Sequence, residues 1–268
     1  MAAYIHCNFF SHVLKMQVDI SVLIPERKRT EQRIISGKKK DTEKFQTLYL
    51  LHGFTGDYLT YLRTSKIEKY ADEHQIMVVM PSIYNSAYTD MKYGMEYFTY
   101  LSQELPEFVE NIFPAAGKKE NRFVAGMSMG GYGAYKWGLT CPEKFAAIAG
   151  VAGSYHAQYR YQGKVSTVST LCEALYGDPP AIIPDKHDIF TMLSDLKKTG
   201  REIPRLYTCC GTEDRRYADS RDLKEWADKL EIPLVFEQGS GKHDDDFFEE
   251  YIQKILNWME FEGGMVEE

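Results

Sequence analysis

The chain has 268 residues, of which 44% are hydrophobic and 26% charged, and its formal net charge is −7. This length and balance suit one large globular α/β domain, or at most two small ones, with enough apolar residues for a sizeable core. The acidic excess argues against a nucleic-acid or anionic-membrane partner, and no apolar run approaches the about 18 residues that a membrane span needs.

The first segment, Tyr4 to Phe10, reads as a strand. His6, Asn8, Ser11, His12 and Lys15 break up its apolar residues and those that follow, so it does not resemble a secretory signal. Met16 to Ile24 alternates, with Met16, Val18, Ile20, Val22 and Ile24 on one face and Gln17, Asp19 and Ser21 on the other. Glu26 to Lys44 is too polar to pack and reads as a long hairpin connection; its Lys38, Lys39 and Lys40 are answered by Asp41 and Glu43. Thr47 to Leu51 is a continuous apolar run, as expected of a strand buried on both faces. The turn cluster His52 to Asp57 and a helix over Leu59 to His74 follow. Ile76 to Met80 is the next buried strand. Ser82 to Gly94 is a loop, and Met95 to Phe113 reads as a helix that Pro106 should kink or break.

Further strands are expected at Phe123 to Ala125, Phe145 to Val151, Arg205 to Cys210 and Pro233 to Glu237. Helices are expected at Arg216 to Leu230 and Asp244 to Phe261. The segment from Ser154 to Ile203 is aromatic and irregular, with a short helical piece at Asp188 to Lys197, and reads as a lid-like insertion over the sheet. The alternation of strand and helix from residue 47 onward predicts a mostly parallel, doubly wound α/β sheet in a single domain over 1–268. The five cysteines are scattered and form no C-x-x-C, so neither a disulfide framework nor a metal site is indicated; reduced thiols in a cytoplasmic protein fit this usage.

One stretch carries chemistry. Gly126-Met127-Ser128-Met129-Gly130 lies between the Phe123 strand and a helix-forming run from Tyr132. G-x-S-x-G at a strand-to-helix turn is the nucleophile elbow of the α/β-hydrolase fold. A serine at such an apex needs a base, and the base needs an orienting carboxylate. In this fold they follow in the order serine, acid, histidine. His243 stands in the glycine-loosened loop after the last strand. Asp214 stands just past the end of the Arg205 strand, with Glu213 and Asp219 as competitors. Developing negative charge on the substrate needs two backbone N–H groups: those of Met129, after the nucleophile, and Phe54, in the loop after the Leu48 strand. His52, Tyr155 and Tyr159 are expected as substrate contacts. Tyr84, Tyr88, Tyr93 and Tyr97 could line the pocket or serve packing alone.

Leu50-Leu51-His52-Gly53-Phe54-Thr55-Gly56-Asp57, Tyr88-Thr89-Asp90 with Tyr93-Gly94, Gly126 to Gly133, and Cys210-Gly211-Thr212-Glu213-Asp214 together resemble the bacterial tributyrin esterase branch of the esterase D-like family. That family also holds S-formylglutathione hydrolases, feruloyl and acetyl-xylan esterases and mycolyltransferases. The resemblance runs from Tyr4 to Trp258. It implies an α/β-hydrolase fold, carboxylester hydrolysis of a small-molecule substrate without a cofactor, and Ser128, Asp214 and His243 as the triad. Relatives often carry a tryptophan two residues after the histidine, where this chain has Asp245. Three readings follow: a serine carboxylesterase for short acyl or hydroxycinnamoyl esters, a thioesterase with the same triad, and a non-catalytic binding module, which would have no need of three intact residues. A homo-oligomer is compatible with each.

Overall fold

The computed structural model describes residues 2–26, 43–156, 167–177, 185–263 and 265–267. Its strands are β1 (Ala3–Ser11), β2 (Met16–Ile24), β3 (Glu43–Phe45), β4 (Thr47–Leu51), β5 (Met77–Pro81), β6 (Arg122–Met127), β7 (Ala147–Val151), β8 (Arg205–Gly211), β9 (Leu234–Gly239) and β10 (Met265–Glu267). Eight of them form one sheet in the order β1-β2-β5-β4-β6-β7-β8-β9. β1 and β2 join antiparallel, and the ladder from β5 through β9 is parallel. The carboxyl ends of β4, β6, β8 and β9 therefore lie on one edge, where ligands bind in open α/β sheets. β3 and β10 pair separately, a ribbon that the sequence reading did not contain.

The hydrophobic runs explain the layering. β4, β5, β6 and β7 are buried along their whole length. Successive side chains point to opposite faces, so Tyr49 and Leu51 enter one core with Val79 and Val124, and Leu48 and Leu50 enter the other with Val78 and Phe123. Helices α1 (Thr60–Thr64), α2 (Ile67–His74) and α8 (Asp245–Met259) cover the second face. Helices α3 (Leu105–Ile112), α4 (Met129–Thr140), α6 (Ile189–Thr199) and α7 (Tyr217–Lys229) cover the first. α5 (Thr167–Tyr176) lies within the segment read as an insertion. Side-chain caps fix two helix starts: Asp244 accepts from the Phe247 amide and Asp188 from the Thr191 amide, each worth about 1 kcal/mol.

Two helices differ from expectation. The one over Leu59 to His74 is two, because Ser65 is extended and its hydroxyl donates to the Tyr61 carbonyl at 2.6 Å, a local bond that competes with the helical ladder. Pro106 does not break its helix. Tyr100–Glu104 opens into a π turn just before it. The Ser102 carbonyl, which has no proline N–H to accept, takes Lys144 Nζ at 2.9 Å instead. The three lysines at 38–40 lie outside the described residues.

Candidate active site

Ser128 sits between β6 and α4 with φ 54° and ψ −114°, a conformation that costs a non-glycine residue free energy and persists only where its surroundings enforce it. Here they do. The Ser128 amide donates to the Val151 carbonyl at 2.8 Å, and its carbonyl accepts from Tyr132 and Ser154 at 3.2 Å each. Two glycines make the turn possible. A Cβ on Gly130 would collide with the Leu51 carbonyl, and one on Gly126 with the backbone of Gly130. Only without those atoms can α4 begin this close to β4 and β6.

Three strand ends converge on the serine. His243, in the loop after β9, has Nε2 2.9 Å from Ser128 Oγ, and its Nδ1 lies 2.7 Å from Asp214 Oδ2. Donation from Nδ1–H to the carboxylate leaves Nε2 as the acceptor for the serine proton. The Asp214 side chain is fully buried, and its second oxygen accepts the Arg216 amide at 2.7 Å. Buried polar groups need such partners. The competing acids are placed elsewhere. Glu213 turns outward and accepts from the Gly241 amide at 2.5 Å, which steadies the histidine loop and holds its carboxyl below the usual range. Asp219 lies inside α7, buried beside Arg216, and burial pushes its carboxyl upward. The ring of Phe248 packs edge-on against His243.

The loop after β4 faces the serine from the other side. Met129 opens α4, so its N–H has no intrahelical acceptor. Phe54 and Met129 line the same cleft as Ser128. The expectation that His52 touches substrate is corrected. Its ring is buried, with Nδ1 at 2.7 Å from the Gly53 carbonyl and Nε2 accepting from the Ile83 amide at 3.0 Å. Tyr88 donates to the His52 carbonyl at 2.7 Å, Tyr61 to the Leu51 carbonyl at 2.9 Å, and Asn85 Oδ1 accepts from the Thr55 amide at 2.8 Å. These bonds fix the loop rather than a ligand. They were hidden in the sequence, although Gly133 is a signal for one of them: its missing Cβ is what leaves room for the Tyr88 ring.

The cleft over Ser128 holds about 320 Å³ and is walled on one side by Ala87 with Leu171, Cys172 and Leu175 of α5. The sequence reading placed Tyr155 here, and the structure corrects it. Tyr155 runs back under β7 into space left by Gly150 and Gly153, packs against Tyr135, and its hydroxyl meets Thr208 at 2.8 Å; it is wholly buried. Tyr159 lies outside the described residues. His156 pairs with Asp222 and stacks on Phe190, away from the cleft. Tyr88 and Tyr97 are buried packing residues, whereas Tyr84 and Tyr93 are exposed. Among the described residues, no group of three or more His, Cys, Asp or Glu side chains is arranged to hold a metal ion, and no helix is long and apolar enough to cross a membrane.

Residues 11–250 match the Esterase family. The chain belongs to that family. This esterase is 32% identical over 273 residues to an acetyl esterase of Caldicellulosiruptor saccharolyticus, a match spanning 96% of this chain and 98% of the relative. It is also similar to a fluorophosphonate-binding serine hydrolase of Staphylococcus aureus, FphF, solved with substrate bound: 33% identity, TM-score 0.88, 96% of this chain and 98% of the other. An S-formylglutathione hydrolase of the same organism matches at 32% identity and TM-score 0.83, over 97% and 99% of the two chains. The esterase therefore has the α/β-hydrolase fold and is a carboxylic ester hydrolase acting on small-molecule esters.

Proposed function

We propose that the chain hydrolyses short-chain esters, acetyl to butyryl, or flat hydroxycinnamoyl esters, through an acyl-enzyme on Ser128. The observation that carries this reading is the continuous relay from Ser128 Oγ through His243 to Asp214, at 2.9 and 2.7 Å, opening into a cleft with an apolar wall. Ser128 Oγ attacks the ester carbonyl while His243 Nε2 takes its proton. The carbonyl oxygen becomes negative and is met by the N–H groups of Phe54 and Met129. His243 returns the proton to the leaving alcohol. Water then enters, loses a proton to the same nitrogen, and releases the acid. Asp214 keeps the Nδ1–H tautomer in place and stabilises the imidazolium.

The likeness to an acetyl esterase supports a small acyl group. A second reading, hydrolysis of thioesters by the same residues, is favoured by the likeness to an S-formylglutathione hydrolase. A fluorophosphonate probe tests the nucleophile: wild type should label stoichiometrically and Ser128→Ala not at all. Label retained on Ser128→Ala would place the nucleophile elsewhere. A panel of acetate, butyrate, octanoate and ferulate esters beside matching thioesters, compared by kcat/KM, separates the two substrate readings.

A further inference from the structure

The cleft has a charge asymmetry that the relay does not use. The chain carries 39 Asp and Glu against 32 Lys and Arg. Yet among the described residues, the lining of the cleft includes Arg215 and Arg216 and no carboxylate. Asp214 does not offset them from within, because its side chain is fully buried behind His243 and committed to the ring and to the Arg216 amide.

The two arginines differ. Arg216 faces the buried carboxylate of Asp219 at 3.6 Å. Arg215 is exposed, and no carboxylate among the described residues lies within ion-pair distance of it. Asn85 adds a donor to the same cleft: its Oδ1 accepts the Thr55 amide, which leaves its Nδ2 for a ligand. The acids that follow His243 do not line the cleft. Asp244 caps α8, and Asp245 and Asp246 are exposed on its first turn. A guanidinium presents a planar fork of donors that matches a carboxylate. The same cleft has an apolar wall from α5, with Leu171 and Leu175.

We propose that Arg215 is a specificity-determining residue that favours esters carrying a carboxylate on the acyl or the alcohol part, a few bonds from the scissile carbonyl. This rests on the esterase reading above and names the substrate class of that site. The apolar wall then takes the hydrocarbon between ester and carboxylate, while Arg215 and Asn85 Nδ2 take the charge.

Two matched pairs test it and separate the two positions of the carboxylate. Monoethyl succinate against ethyl levulinate probes the acyl side. 3-Acetoxybenzoate against 3-acetoxybenzamide probes the alcohol side. Each pair is measured with wild type, Arg215→Gln and Arg215→Lys, and the readout is the kcat/KM ratio of anionic over neutral ester, which cancels intrinsic reactivity. In one pair the ratio should fall by up to about fivefold in Arg215→Gln, the upper end for an exposed charge pair. Most of the loss should appear in KM, and Arg215→Lys should recover part of it. The wild-type ratio should also fall as salt rises, since exposed charges are screened. A ratio unchanged by Arg215→Gln in both pairs, with neutral esters still turned over, overturns the proposal and leaves the esterase reading standing. Absence of wild-type turnover with all four esters overturns both.

Discussion

His52 Nε2 accepts the Ile83 amide at 3.0 Å, and this bond ties the loop after β4 to the end of β5. The other ring nitrogen donates to the Gly53 carbonyl. One nitrogen must accept and the other must donate, so only the neutral imidazole fits. Burial acts in the same direction and lowers the pKa of His52 below its ordinary value. In the unfolded chain, histidine titrates near about 6.5. As pH falls below that, the unfolded chain gains a proton that the folded one refuses. The stabilisation is therefore complete above the unfolded value and is lost as pH falls toward the lower folded one.

The expected result is a melting temperature that declines as pH is taken from about 7.5 to about 5.5, the window set by the unfolded pKa. His52→Gln should flatten part of that decline and also lower kcat, because Phe54 is held by the same loop. His74, also shifted downward by burial, supplies a second contribution of the same sign, so the flattening is partial. Identical slopes in wild type and variant would show that His52 does not carry the effect.

Asp214 and Asp219 should respond oppositely to the same change. In Asp214→Asn, the amide nitrogen can face His243 Nδ1 and favour the wrong tautomer, so kcat should fall by about 10⁴ with the fold intact, the size found for other triads. Asp219→Asn leaves the relay untouched and should alter kcat little. Circular dichroism checks the fold and steady-state kinetics the rest. The reverse outcome would reassign the acid.

The elbow was legible because its steric demands are written into residue types: Gly126 and Gly130 are glycines because Leu51 and Gly130 backbone atoms occupy the space. Asp214 and His243 each follow a strand end in the chain order of the fold, and the structure brings both to Ser128. What failed was side-chain direction. Tyr155 also follows a strand end, yet it turns back beneath β7, since Gly150 and Gly153 open a slot there. His52 stands in the loop after β4 and points into the protein. Position after a strand fixes the location of a residue to a few ångströms, whereas its rotamer depends on cavities that residues far along the chain create. The same holds for Pro106: the carbonyl that it leaves without a donor is satisfied by Lys144, a residue far along the chain.

Gly133 and Tyr88 form one such distant pair, and they should be energetically coupled. Gly133→Ala places a methyl group against the Tyr88 ring, an overpacking that should cost about 1–3 kcal/mol. Tyr88→Phe leaves the buried His52 carbonyl without its donor, which should cost about 1–3 kcal/mol as well. Because the two residues touch, the double variant should be non-additive. Urea denaturation measures all three; strict additivity would mean that the contact does not hold the loop.

Helix α5 should set the acyl preference. Leu171, Cys172 and Leu175 come from the segment read as a lid-like insertion, and they form the apolar wall of a cleft of about 320 Å³. A short acyl chain should fit against that wall, and a longer one should extend past it. Each methylene that fits is worth about 1–3 kcal/mol in discrimination, so kcat/KM should decline stepwise from butyrate to octanoate. Leu175 is buried against Ala87 and Cys172, so Leu175→Ala opens room behind the wall. The octanoate-to-butyrate ratio should then rise by about tenfold, the value of one further methylene accommodated. Truncation in this small core will also lower stability, by about 2–5 kcal/mol, and that is why the ratio, rather than either rate, is the measurement. If the ratio stays constant while stability drops, α5 supports the cleft without touching the acyl chain, and selectivity must come from other residues of its lining, such as Phe54 and Asn85.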